Sequence, residues 1–284
     1  MKKVAQVFGN TFSDPGILEG WKKYLDKLII LDGTILPDPE IPMILNAMPL
    51  GFSGHWMKEK RPFFAMNRAY LGAWAFNNAS YSRISVNSFA CTQYKNVPYS
   101  RWEKLGIEKR PWAVSEVKNI LIAPGKKSHI VFSREQPLEW AEKLKVQLES
   151  EGANVRIRLK QGKRKSQLFG DENANLLPLL GKGGEFEWAD LVISHSSAIT
   201  AEALWYGKKA ISLGVCPTWV ACDNHLGDWK NPIEPLNREK WHEHMAWIQF
   251  KADEWYSGEA QESTVFYQGW PTEVPDTNNE IKYE

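Results

Sequence analysis

The sequence predicts an α/β protein in two lobes, the C-terminal one a parallel sheet flanked by helices. Three observations carry this expectation. Apolar runs of strand length recur in the second half at Asn119–Gly125, Asp190–Ser194 and Lys209–Leu213. Helical spacing of apolar residues fills Gln136–Glu151 and Ala198–Tyr206 between them. Strand, helix and strand, repeated at these lengths, imply crossover connections and a parallel sheet. A stretch bearing tryptophan and proline, Arg110–Lys118, separates this regular half from a more irregular one.

Taken in order, Val4–Phe8 reads as a first strand, Gly16–Asp26 as an amphipathic helix and Lys27–Leu31 as a second strand. Ile41–Met48 and Pro62–Met66 are shorter strand candidates, separated by the loop Gly51-Phe-Ser-Gly-His55-Trp56. Asn119–Gly125 ends in a Pro-Gly turn, and Gln136–Glu151 carries Leu138, Ala141, Leu144, Val146 and Leu148 before Gly152 as its C-cap. Val155–Leu159 alternates as a half-exposed strand does, and Gly207 closes the helix Ala198–Tyr206. Trp241–Tyr256 is expected as one long helix, followed by a polar, loosely held tail. The lobes are therefore placed at 1–115 and 116–258, with the tail at 259–284.

A length of 284 residues suits one large domain or two small ones, and a formal charge of +1 argues against a surface coated in positive potential. A local basic groove remains compatible with that average. Three cysteines, Cys91, Cys216 and Cys222, with no secretory signal, read as reduced thiols in a cytoplasmic protein. No run approaches the roughly 18–20 apolar residues that cross a bilayer. Fourteen tryptophans are a high count, read mainly as core packing, with one or two available to stack on a sugar or a base.

The densest chemistry lies in Trp188–Gly214. A buried strand ends at Ser194, and the small turn His195-Ser196-Ser197 leads directly into a helix. Such a turn presents backbone N–H groups and the positive end of a helix dipole at the carboxyl edge of a parallel sheet, where open α/β proteins bind ligands and where phosphate is stabilised. Ser196 or Ser197 is expected to cap the helix. Glu202, about one turn further in, is either a ribose contact or a solvated helix residue.

The run from Ala189 to Gly214 resembles the donor-lobe signature of GT-B glycosyltransferases and related sugar-nucleotide enzymes. In those families an Ala-Asp strand enters a Ser/Thr turn, followed by Glu-Ala-Leu, Gly-Lys and a further strand. Trp241–Gly258, Tyr81–Asn87 and Arg101–Gly106 are similar to a capsule-type and phage-encoded set of such proteins. The likeness covers roughly residues 80–258, and only 189–214 has the quality of a motif. The resemblance implies two Rossmann-like lobes, with His195, Ser196, Ser197 and Ala198 on the donor phosphates and Glu202 on the ribose. It further implies that the loop Pro124–Ser128 faces the cleft, so that Lys126 or Lys127 neutralises diphosphate. Where many relatives have Gly-Lys-Pro, this chain has Gly207-Lys-Lys-Ala. No Gly-x-Gly-x-x-Gly or Walker sequence is present, against NAD and ATP.

Arg156, Arg158, Lys160, Lys163, Arg164 and Lys165 form the densest basic cluster, either a solvated face, a diphosphate clamp or a contact to a nucleic-acid backbone. A base is needed if an acceptor hydroxyl attacks; His55 is the first candidate, with Asp14 and Asp32 as rivals. His242 and His244 are spaced wrongly for a helical metal pair, and no Asp-x-Asp occurs, so no obligatory metal or cofactor is expected beyond a nucleoside-diphosphate sugar as donor substrate. The sequence thus reads as a glycosyltransferase acting on an acceptor hydroxyl. Because the likeness leans toward phage-encoded relatives, a hydroxymethylated pyrimidine in DNA is one acceptor it implies. A sugar-nucleotide epimerase-like enzyme and a non-catalytic nucleic-acid-binding protein on the same scaffold are the alternatives.

Overall fold

The computed structural model describes residues 2–9, 15–46, 51–68, 82–88, 100–105, 110–113, 115–125, 129–130, 133–158, 184–214, 216–219, 221–232 and 238–272. The elements run β1 (Val4–Phe8), α1 (Pro15–Tyr24), β2 (Lys27–Leu31), β3 (Met43–Asn46), α2 (Gly51–Lys58), β4 (Phe63–Arg68), β5 (Ser82–Val86) and α3 (Ser100–Leu105). They continue with β6 (Asn119–Ile122), α4 (Pro137–Ser150), β7 (Asn154–Ile157), α5 (Gly184–Trp188), β8 (Leu191–Ser194), α6 (Ile199–Trp205) and β9 (Lys209–Ser212). The last are α7 (Arg238–Trp247), β10 (Gln249–Phe250), α8 (Ala252–Ser257) and α9 (Glu259–Gln268). Two compact units result: Met1–Ile107 with Glu239–Glu284, and Glu108–Arg238. The expected partition left the segment from 239 onward with the C-terminal lobe and then as a tail; it belongs with the N-terminal unit.

That unit holds a six-stranded mixed sheet in the order β10-β5-β4-β3-β1-β2. β1 to β4 are parallel neighbours, whereas β5 pairs antiparallel with both β4 and β10. Ala5 and Val7 of β1, one strand in from the edge, are fully buried among Trp21, Ile44, Phe64 and Phe250. Gln6 is buried too, and its amide is satisfied by Asp38 O at 2.5 Å, Ile41 O at 2.7 Å and Asp38 N at 3.0 Å. α1 crosses the α8 end at Gly20, where a Cβ would lie 1.8 Å from Trp255 O, so only glycine permits the contact.

Three expectations are corrected in this unit. Gly51–Trp56 is the start of a helix, not a loop: Phe52 meets Phe8 at 5.0 Å and Trp56 at 5.6 Å, an i,i+4 pair that ties α2 to the sheet. The long helix over Trp241–Tyr256 is broken by β10, because Ile248 N-terminal to it and Phe250 within it are buried and the segment adds an edge to β5. Glu254 then starts α8 by accepting the Lys251 N–H at 2.7 Å. The polar tail is helical over Glu259–Gln268, with Ala260, Gln261 and Thr264 buried and Trp270 against Phe64 at 5.5 Å.

Arg101 of α3 binds this returning segment together. Its Nε donates to Ala246 O at 2.8 Å, its Nη2 to Gln249 O at 2.8 Å, and both Nη groups reach Glu254 at 2.6 and 3.0 Å. The guanidinium also lies 4.5 Å over the Phe250 ring. Four of its five N–H donors thus have fixed acceptors, the satisfaction that burial of a charge demands.

The second unit is a four-stranded, wholly parallel sheet, β7-β6-β8-β9. All four residues of β8 are buried, the near-continuous apolar run of a strand covered on both faces. α4 begins with Pro137 at its first turn and packs Ala141, Leu144 and Leu148 on Ile120, Ile122 and Val155. Asp190 aligns the starts of β6 and β8, its carboxylate accepting the N–H groups of Lys118 at 3.1 Å and Asn119 at 2.9 Å.

Arg101→Ala is expected to destabilise the N-terminal unit by about 3–5 kcal/mol, since it removes the cation paired with Glu254 and the donor to the Ala246 and Gln249 carbonyls. A urea titration reads this directly; a loss under about 1 kcal/mol would show that the guanidinium network is dispensable.

Candidate functional site

β6 and β8 are neighbours, yet the chain leaves their carboxyl ends in opposite directions, to β7 on one side and to β9 on the other. Loops that diverge in this way leave an opening at the carboxyl edge, the usual ligand position in open parallel sheets. Two segments meet there: the described residues 123–125 and 129–130 after β6, and 195–198 after β8. Ser194 ties them, donating its buried hydroxyl to Ala123 O at 2.7 Å, while Ala123 N donates to Ile193 O at 2.9 Å.

At the corner itself, His195 Nδ1 and Ser196 Oγ lie 2.6 Å apart. The His195 ring rests on Gly214, where a Cβ would stand 2.3 Å from both Nδ1 and Cε1 and 2.6 Å from His195 O. Ser197 Oγ accepts the Ile199 N–H at 3.4 Å, and Thr200 Oγ1 donates to Ser197 O at 3.2 Å. The expected serine cap is therefore only half realised: Ala198 occupies the N-cap position without a side-chain bond, and the helix is Ile199–Trp205. The backbone turns helical one residue later than the hydroxyls, leaving the Ser196 Oγ held by the imidazole instead.

Beneath the corner lies a cluster of small buried polar groups. Thr218 Oγ1 donates to Thr200 Oγ1 at 2.7 Å and lies 2.6 Å from Ser212 Oγ, and Cys216 Sγ donates to Ser212 Oγ at 2.8 Å. Cys222 Sγ reaches Ser212 Oγ at 3.4 Å; burial, reinforced by neighbouring Cys216, pushes its thiol up to about 12. Cys216 and Cys222 are both free thiols. Thiol and hydroxyl groups that hydrogen-bond one another make a self-satisfied polar floor.

The sequence reading missed His129. Its ring is fully buried, meeting His195 edge to face at 5.0 Å and Trp140 at 4.8 Å. Burial, with the nearby charge of His195, lowers its pKa from 6.5 to about 4. Burial also lowers that of His195, an effect Glu135 partly opposes. Both imidazoles are held neutral. No motif flags His129, because its neighbours His195 and Trp140 are remote in the chain.

The other expected residues distribute unevenly. His195, Ser196, Ser197 and Ala198 form the turn between β8 and α6, and half-buried Glu202 lies one turn along α6. His55 is exposed on α2, with Nε2 2.9 Å from Glu59 Oε1. Asp32 accepts Thr34 N at 2.8 Å and Thr34 Oγ1 at 2.6 Å, and these bonds hold its carboxyl below the usual range, which suits a turn and not a base. Arg156 lies 4.0 Å over the Trp188 ring, so its charge already has a partner, and Arg158 is half-buried. Asp14, Lys126, Lys127, Lys160, Lys163, Arg164 and Lys165 lie outside the described residues. Among the described residues, no helix is long and apolar enough to cross a membrane.

Neither a protein-family model nor a curated protein sequence matches the chain. Among solved structures it is similar to the KpsC beta Kdo 2,7 transferase of Thermosulfurimonas dismutans, with 11% identity, a TM-score of 0.53, and coverage of 92% of this chain and 99% of that one. The KpsC beta Kdo 2,4 transferase of the same organism gives 11% identity and a TM-score of 0.49 over 88% of this chain and 92% of that one. The first likeness is one of fold: mixed α/β, with a parallel sheet flanked by helices, as in that glycosyltransferase.

Gly214→Ala is expected to cost about 1–3 kcal/mol and to lift the His195 ring from Ser196, since both a ring and a carbonyl oxygen block the new methyl. A urea midpoint unchanged from the parent protein would show that the ring moves freely. A second expectation concerns pH. His129 has a folded pKa below its unfolded one, so its contribution is complete above 6.5 and is lost as pH falls toward about 4. His129→Phe should flatten the stability profile across that window by on the order of 2 kcal/mol, measured by urea denaturation at each pH.

Proposed function

We propose that this chain transfers a glycosyl group from a nucleotide-activated sugar to an acceptor hydroxyl. The observation that carries the reading is the corner His195-Ser196-Ser197, set at the diverging carboxyl edge of β6 and β8 with Ser196 Oγ fixed 2.6 Å from the His195 ring. The likeness in fold to a Kdo transferase supports it. In this reading Ser196 and Ser197 bond the donor phosphates, together with main-chain N–H groups of the turn, and Glu202 accepts from the ribose. Donors fixed before the reaction stabilise the charge that grows on the departing phosphate without reorganising during the step. A neutral floor of hydroxyls and thiols keeps that field undiluted by competing charge.

The acceptor hydroxyl loses a proton as it attacks the anomeric carbon, whose bond to the phosphate oxygen breaks. His55 is the proposed base: Glu59 orients its Nε2, and Nδ1 would take the proton. Lys126 and Lys127 are proposed to offset diphosphate charge. The acceptor is carried only as a hydroxyl, with sugars and hydroxymethylated DNA as the two classes to assay.

Thermal shift with CMP, UDP, GDP and their sugars is the first test. One of them is expected to raise the melting temperature, and Ser196→Ala or Ser197→Ala to weaken its binding about tenfold, the loss of one hydrogen bond to a charged group. The matching sugar nucleotide should then give product with one acceptor class, and His55→Ala should lower kcat with donor affinity intact. Flat curves over the whole panel would refute the transferase reading and favour a binding protein; interconversion of the donor sugar without an acceptor would favour an epimerase.

A further inference from the structure

The corner just described leaves one buried group unexplained. His129 is 0% exposed, and among the described residues neither Nδ1 nor Nε2 has a hydrogen-bond partner. Leaving a buried polar nitrogen unbonded costs on the order of 1–3 kcal/mol, and a side chain of the same shape without nitrogen would avoid that cost. Such an orphan calls for a role, because most buried polar atoms in native proteins are bonded. Its position supplies one. His129 follows β6 at the carboxyl edge, separated from the Pro124-Gly125 turn by only three residues, and its ring abuts that of His195.

We propose that His129 is a ligand-binding residue of this same site, donating a ring N–H to a phosphate oxygen of a nucleoside phosphate seated on the His195–Ser197 corner. The inference rests on the donor-site reading above. His195 and Trp140 cover the ring in the unliganded chain. His195 is itself only half-buried and lies on a residue without a side chain, so turning its ring off Gly214 uncovers His129. A phosphate oxygen then satisfies a nitrogen that the described residues leave unbonded, and the bond is charge-assisted. Neutral at rest, the imidazole does not hold inorganic counterions in advance. The two rings stand on loops from adjacent strands, so the ligand would bridge the two sides of the divergence.

His129→Phe separates this role from a merely structural one. Phenylalanine keeps the ring packing on Trp140 and removes both orphan nitrogens, so the variant should be at least as stable as the parent at neutral pH. It should nevertheless bind the nucleotide that stabilises the parent (CMP, UDP or GDP) at least about tenfold more weakly. In histidine-selective nitrogen-15 spectra of the parent protein, that nucleotide should move the His129 ring resonances. Unchanged affinity in the variant, with the His129 resonances unmoved in the parent, overturns the proposal and leaves the donor-site reading standing. Failure of the parent protein to bind any of the three overturns both. Should the variant not fold, the spectra of the parent decide alone.

Discussion

Two adjacent parallel strands that send their chains in opposite directions are the constraint on which the candidate site depends. β6 and β8 lie side by side, but neither loop can cross over the other on the way to β7 and β9. The backbone beyond Ile122 and beyond Ser194 must therefore separate, and each loop must find its polar partners locally. Ser194 and Ala123 do this across the gap. The residues that follow, His129 on one side and His195 to Ser197 on the other, are placed by that separation and not by any local preference of their own. A ligand that needs contacts from both loops has one place to sit.

Rigidity beneath this edge comes from an unusual source for a core. Ser212, Thr218 and Thr200 are fully buried, and Cys216 nearly so. Short polar side chains lose little rotamer freedom on burial, and bonding among themselves removes the desolvation penalty. Aliphatic residues would fill the same space but could not hold a tight turn through several directed bonds. The two neutral imidazoles above the cluster continue this pattern: polar groups kept uncharged, with directionality in place of net charge.

The N-terminal unit solves a different problem, that of holding segments more than one hundred residues apart in sequence. Arg101 gathers Ala246, Gln249 and Glu254 with four directed hydrogen bonds, which fixes where α7 stops and where α8 begins. β10 is only two residues long, and a strand of that length persists because the guanidinium and the aromatic ring of Phe250 hold its ends.

The chain's own residues determined most elements of the parallel half, although β6 ends at Ile122, short of the expected Gly125, and α5 was not anticipated. Leu191–Ser194 is apolar on both faces, Pro137 opens a helix and Gly152 follows its end, and these are local preferences legible in any context. The turn His195–Ser197 was legible too as backbone geometry, because small hydroxyl residues between a buried strand and a helix favour such a turn. Tertiary structure alone decided the rest. Trp241–Tyr256 has helical content throughout, and only the open edge of β5 makes two of its residues a strand. Phe52 reads as a loop residue until Phe8 and Trp56 are beside it. His129 looks like any loop histidine, and its burial against His195 and Trp140 depends on contacts that no stretch of neighbouring residues encodes. Local sequence sets backbone preference, but burial and pairing are properties of what else the fold brings near.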